Sequence, residues 1–161
     1  MATYITPGLS EVHWLTTVAV ETAVTVAEAN AGVDITAFVR EMPTIPRATN
    51  LSDNTDISST FESRNIGTRG GDVLDIIIKR HKAVNDDTAY TTLTEDTVGF
   101  LLVGRQGLAS AGTWAAADRY DLYPATVSSL EDGTPGRNDI DTAIVHLAVT
   151  SAPTRDDVIA A

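Results

Sequence analysis

VLDIIIKRH, residues 73–81, decides the class of fold. Leu74, Ile76 and Ile78 alternate with Asp75, Ile77 and Lys79, a period of two that suits a half-buried strand and no helix. Gly70-Gly71 breaks the chain just before it. Downstream, TVGFLLVGR (97–105) is a nearly continuous apolar run, the pattern of a strand covered on both faces, one by a sheet and the other by a short helix. Residues 140–150 alternate again, with Ala143, Val145, Leu147 and Val149 on one parity and Thr142 and His146 on the other. Between these lies a further strand-like stretch, 117–129, followed by turn chemistry at Pro135-Gly136 and Asn138. Thr and Val are abundant throughout, which favours strands over long helices. The expected fold is mainly β: a single antiparallel β-sandwich or half-barrel over 1–161, with one or two short helices packed on it.

Towards the N-terminus, TVAEANAGVDITAFV (25–39) reads as a very short helix running into a strand. Thr25 suits the N-cap, Glu28 closes a capping box, and Gly32 is expected to end the helix in the left-handed conformation. Such a helix is far below the roughly 12–15 residues that an isolated helix needs in water, so packing on a sheet must complete it. A strand through Val18, Val20, Val24 and Val26 competes with it near residue 24. Ile35, Ala37 and Val39 should then share one face of a strand that Pro43 and Pro46 stop. A second short helix is expected in NDDTAYTTL (85–93), capped by Asn85 or Asp86. Three segments lack a strong pattern: an N-terminal arm (1–12), a long Pro-, Ser-, Thr- and Asn-rich loop (43–70) with a weak strand near 57–62, and a polar tail (151–161) without a strand.

Composition narrows the function. The 161 residues carry a net charge of −11 from 22 acidic and 11 basic residues, with no Cys. Disulfides and thiolate metal sites are thereby excluded. Arg64, Arg69, Lys79, Arg80 and Lys82 make a mild basic cluster that reads as solvated edges and loops, and the acidic excess opposes tight binding to phosphate. No run reaches the roughly 18 apolar residues of a membrane helix, and the N-terminal residues lack a secretory pattern, so a soluble protein used without export is expected.

The search for chemistry is negative. His13, His81 and His146 lie far apart without metal-ligand spacing, and His146 on its alternating strand reads as an edge or half-buried residue. Nucleophile-elbow, Walker and dinucleotide-binding motifs do not occur. DNTD (53–56) lacks the Gly and distal Glu of a calcium loop, and EDGTPGRNDID (131–141) is explained by turn chemistry. Asp86-Asp87 suits a helix N-terminus. No catalytic, cofactor or metal residue is assigned. Trp14, Trp114, Tyr120 and Tyr123 would serve a carbohydrate-stacking face or, more ordinarily, the core. That leaves a glycan- or calcium-dependent adhesion module as the alternative from another class.

The order of elements resembles the major tail tube proteins of long-tailed (siphovirus-type) bacteriophages, those of the actinobacteria-infecting group in particular. Three stretches carry the likeness: TVAEANAGVDITAFV, as that family's short helix, Gly and strand; NDDTAYTTLTEDTVGFLLV, as its acidic short helix leading into an apolar strand; and TWAAADRYDLYPATVSS, as the strand ending in an aromatic-Pro step after a small-residue loop. The resemblance rests on order and spacing over 14–161. It implies a non-enzymatic virion protein, made in the host bacterial cytoplasm, that forms hexameric rings stacked into a tube for DNA ejection. Implied partners are further copies of the chain, tape measure and terminator proteins, and double-stranded DNA in passage, with no membrane. On that basis Asp72, Asp75, Asp118 and Asp121 are the lumen-lining candidates, since an acidic wall repels DNA phosphate.

Overall fold

A computed structural model describes residues 10–40, 48–53, 64–70, 73–83, 86–104, 107–133 and 139–161. In chain order the elements are β1 (Glu11–Leu15), α1 (Val26–Ala31), β2 (Val33–Asp34), β3 (Ala48–Asp53), β4 (Arg64–Gly70), β5 (Val73–Lys79), α2 (Thr88–Thr92), β6 (Val98–Gly104), β7 (Arg119–Asp132), β8 (Thr142–Val149) and β9 (Thr154–Val158). All strand pairs are antiparallel, in the order β2-β1-β6-β7-β8-β5. The mainly β architecture expected from the alternating stretches is the one observed.

The long β7 organises the sheet. β6 runs along one edge of it, and the other edge is shared, with β9 against residues 119–122 and β8 against residues 125–132. β8 then carries β5. From β2 the chain crosses to the far side: Ile35 N donates to Val12 O of β1, while Arg40 N donates to Ile77 O of β5 and Phe38 O accepts from Lys79 N of β5. Residues 33–40 therefore bond to β1 near one edge of the sheet and to β5 at the other and bridge the half-barrel, which leaves fewer backbone groups unpaired at its edges.

This crossing corrects the expected strand through Ile35, Ala37 and Val39. Only Val33 and Asp34 are extended in the sheet; Asp34 Oδ1 accepts from Thr36 N and turns the chain. Ile35 is buried nonetheless, and Phe38 and Val39 pack against the same core.

Two apolar layers result. Inside the half-barrel lie Val12, Trp14, Ile35, Leu74, Ile76, Ile78, Leu101, Val103, Tyr123, Val127, Val145 and Leu147, with Ala89 of α2 and its C-cap Leu93. On the outer side of β1, β6 and β7, a second layer joins Leu15, Leu102, Tyr120 and Leu122 to Val24, Ala29 of α1, Leu108, Trp114 and Ile159. Both faces of β6 are thus covered, as its unbroken apolar run requires.

α1 has the expected capping box at Thr25 and Glu28. It prevails over the competing strand because those bonds and the docking of Ala29 satisfy it locally. Gly32 corrects the expected left-handed end: it is extended, at φ −64° and ψ 155°. A side chain there would bring its Cβ to 3.0 Å from Leu15 Cδ1, so close approach to β1 is the constraint. α2 begins one residue later than expected, with Asp87 as N-cap and no side-chain capping bond, because its carboxylate binds Arg80 Nε at 2.8 Å.

Two of the segments expected to be irregular contain strands. β3 and β4 pair as a hairpin within 43–70, with a bulge between Thr49 and Leu51; the expected strand near 57–62 lies outside the described residues. In the tail, β9 pairs with β7, and Ala117 N donates to Ile159 O while Ala160 N donates to Val24 O. Of the expected arm, residues 1–9 lie outside the described residues and Glu11 and Val12 belong to β1.

Candidate functional site

The outward face of β5, β8 and β7 is the surface that the two core layers leave open among the described residues. In-register residues on neighbouring strands share a face, and the register gives its rows. Val73 lies opposite Ala148, which lies opposite Thr126, itself opposite Val98. The next row is Asp75, His146 and Ser129; the third is Ile77, Ile144 and Glu131; Lys79 and Thr142 close the face. Val73 is 52% exposed and Val98 67%, large values for apolar side chains.

At its centre His146 spans three strands. Its Nδ1 lies 2.6 Å from Asp75 Oδ1, and its Nε2 lies 3.5 Å from Glu131 Oε1. His146 is half-buried, as its place on an alternating strand led one to expect. Beside this face, Arg80 binds Asp87 and, through Nη1 at 2.9 Å, Asp132, and its guanidinium stacks 3.3 Å above the Tyr90 ring. Burial of the guanidinium disfavours its charge, but the hydrogen bond and charge of Asp87 outweigh this and raise its pKa.

The four candidate aspartates do not come together on this face. Asp75 is on it. Asp72 lies outside the described residues. Asp118 is buried, and its carboxylate accepts from Ala109 N at 3.1 Å and Ala115 N at 2.8 Å. It fastens the loop before β7, and strand-like parity around residue 118 does not reveal that the strand starts at Arg119. Asp121 is half-buried on β7, accepting from Tyr123 Oη at 3.2 Å and Asp156 N at 2.8 Å. Glu131 was missed. It shares the outward face with Asp75 only because a register shift between Val127 and Ser129 displaces β7 against β8.

The aromatic residues do not make a stacking face. Trp14, Trp114, Tyr120 and Tyr123 are all buried in the two core layers. Burial raises the Tyr120 hydroxyl above its ordinary pKa, and its oxygen accepts from Val24 N at 3.3 Å. Of the basic cluster, Arg80 is neutralised by its two carboxylates and Lys79 Nζ donates to Ala37 O. Residues 134–138 of the acidic turn lie outside the described residues.

The family model described as phage tail tube protein matches residues 1–161. The chain belongs to the phage tail tube protein family. The comparison with curated proteins finds no match. Membership makes this tail tube protein a structural component of a virion tail, assembling with other tail subunits, and points away from an enzymatic role. Among the described residues, no helix is long and apolar enough to cross a membrane.

Proposed function

We propose that this tail tube protein self-assembles into hexameric rings that stack into a hollow tube, through which double-stranded DNA leaves the capsid of a siphovirus-type phage of actinobacteria. The match of the tail tube family over the whole chain carries this reading. A ring that also stacks needs heterologous, head-to-tail contacts on surfaces that a lone subunit leaves open. The row of Val73, Ala148 and Val98 suits contact with a neighbouring copy, because apolar side chains so exposed gain free energy when covered. The Asp75 and Glu131 rows suit the lumen wall. Their charge, within a net charge of −11, repels phosphate, so DNA would slide past without binding. The residues before β1 and the segment 43–70 are the arms proposed to link rings; the tail, expected as a third, is paired with β7. Tape measure and terminator proteins are the further partners proposed, with synthesis in the host cytoplasm.

Electron microscopy of concentrated purified protein tests the assembly. Rings or hollow tubes are expected; a monodisperse monomer under all conditions would overturn the proposal. The lumen assignment is tested separately with Asp75→Lys, which should still assemble but slow DNA ejection from phage particles. Ejection at the wild-type rate would remove Asp75 from the lumen.

A further inference from the structure

We propose that Glu11, His13 and Asp34 form a binding site for one divalent transition-metal ion of the zinc class. The site is built by strand pairing. Glu11 and His13, two apart on β1, share its outward face, and the β1–β2 register sets Asp34 directly opposite His13. One ligand atom from each lies within 4.8 Å of the other two.

The histidine carries the argument. His13 is 3% exposed, and its Nδ1 lies 3.1 Å from Ala29 O of α1. A carbonyl can only accept, so Nδ1 bears the proton and Nε2 is left to act as a ligand, the arrangement by which metal-binding histidines are oriented. The ring is further held edge-on against Trp114, with centroids 5.8 Å apart. Nε2 is buried without a hydrogen-bond partner. It stands 3.9 Å from Glu11 Oε2 and 3.8 Å from Asp34 Oδ1. Both distances exceed the roughly 2.7–3.2 Å of a hydrogen bond, so the alternative of a protonated ring bonded to the carboxylates does not fit the spacing. Ligands on a tetrahedral ion with bonds of about 2.0–2.2 Å are about 3.4 Å apart, so each carboxylate oxygen has to approach Nε2 by only about half an ångström.

Both carboxylates are held in place. Glu11 Oε1 accepts from Gly112 N at 2.6 Å and Oε2 from Thr36 Oγ1 at 2.7 Å, while Asp34 Oδ1 accepts from Thr36 N at 2.8 Å. Each oxygen keeps a second lone pair for an ion. The Asp34 side chain is 51% exposed, which provides an entry path and leaves a position for water. One imidazole and two carboxylates, without thiolate, suit zinc, cobalt or nickel better than calcium. The ion would fasten β2 to β1 and, through Glu11, the turn at Gly112.

Chelator-treated full-length protein titrated with ZnCl2 should take up one equivalent per chain and unfold at a higher temperature. Asp34→Asn, which keeps an acceptor for Thr36 N, should weaken zinc binding at least tenfold, while His146→Ala, which removes the histidine of the β5–β8–β7 face, should leave it unchanged. In wild-type protein the 15N resonance of His13 Nε2 should move on zinc addition, a readout that needs no variant. No uptake, equal uptake by Asp34→Asn, loss of uptake in His146→Ala, or a His13 ring that titrates with protons and ignores zinc would each overturn the site.

Discussion

Glu28 shows how much one side chain can organise. Its Oε1 accepts from Ala19 N at 2.8 Å, and its Oε2 accepts from Thr25 N at 2.9 Å and Thr25 Oγ1 at 2.8 Å. The backbone bond to Thr25, then those to Ala19 and the Thr25 hydroxyl, hold its pKa below the ordinary 4.5. A carboxylate depressed on folding adds stability that is fully present above the unfolded value and is lost as pH falls through the lower folded one. Glu28→Gln should therefore unfold at lower denaturant than wild type at pH 7, and the difference should shrink once pH drops below 4.5. A constant difference down to pH 3 would show that the charge is not what matters. The capping box was legible because its partners are three residues apart. The bond to Ala19, across a loop, was not.

At the scale of the element, β9 and the segment 33–40 are held by backbone bonds more than by patterned side chains. β9 alternates poorly, and its side chains are half-buried or exposed. The residue after it does the anchoring: Ile159 is buried in the outer layer, with its amide and carbonyl bonded to Asp118 O and Ala117 N. Ile159→Ala should cost about 2–4 kcal/mol in urea unfolding, the usual loss for a buried aliphatic side chain. A cost under ~0.5 kcal/mol would mean that the C-terminal residues are not part of the folded core. The strands with alternating apolar residues were legible, since one-sided burial writes a period of two into the chain. β9 and the crossing at Ile35 were not, since main-chain hydrogen bonds leave no mark on side-chain choice.

For the whole molecule, the open face is where stability and assembly separate. Val98 begins β6 and is two-thirds exposed, so Val98→Asp should change the stability of the isolated subunit by no more than ~0.5 kcal/mol. It should nonetheless reduce tube formation, measured by pelleting and electron microscopy, if the Val73–Ala148–Thr126–Val98 row meets a neighbouring copy. Unchanged tubes would remove that row from the contact. The acidic balance of such a face follows from composition, but its membership does not. Asp75 and Glu131 meet across His146 through the register of three strands, whereas Asp118, also beside a strand, is consumed by a loop.

Local pattern along the chain is enough to establish the β class, the short capped helix, the apolar strands that cross the interior and the acidic character of the surface. Each of these rests on neighbours a few residues apart, where propensity, capping and periodicity act. Long-range pairing is what makes residues 33–40 bridge β1 to β5, adds the tail as a strand, buries Asp118 and sets Glu11 and His13 facing Asp34. Those juxtapositions depend on strand register between distant segments, and register is set by packing of the whole core, which no local stretch of chain encodes.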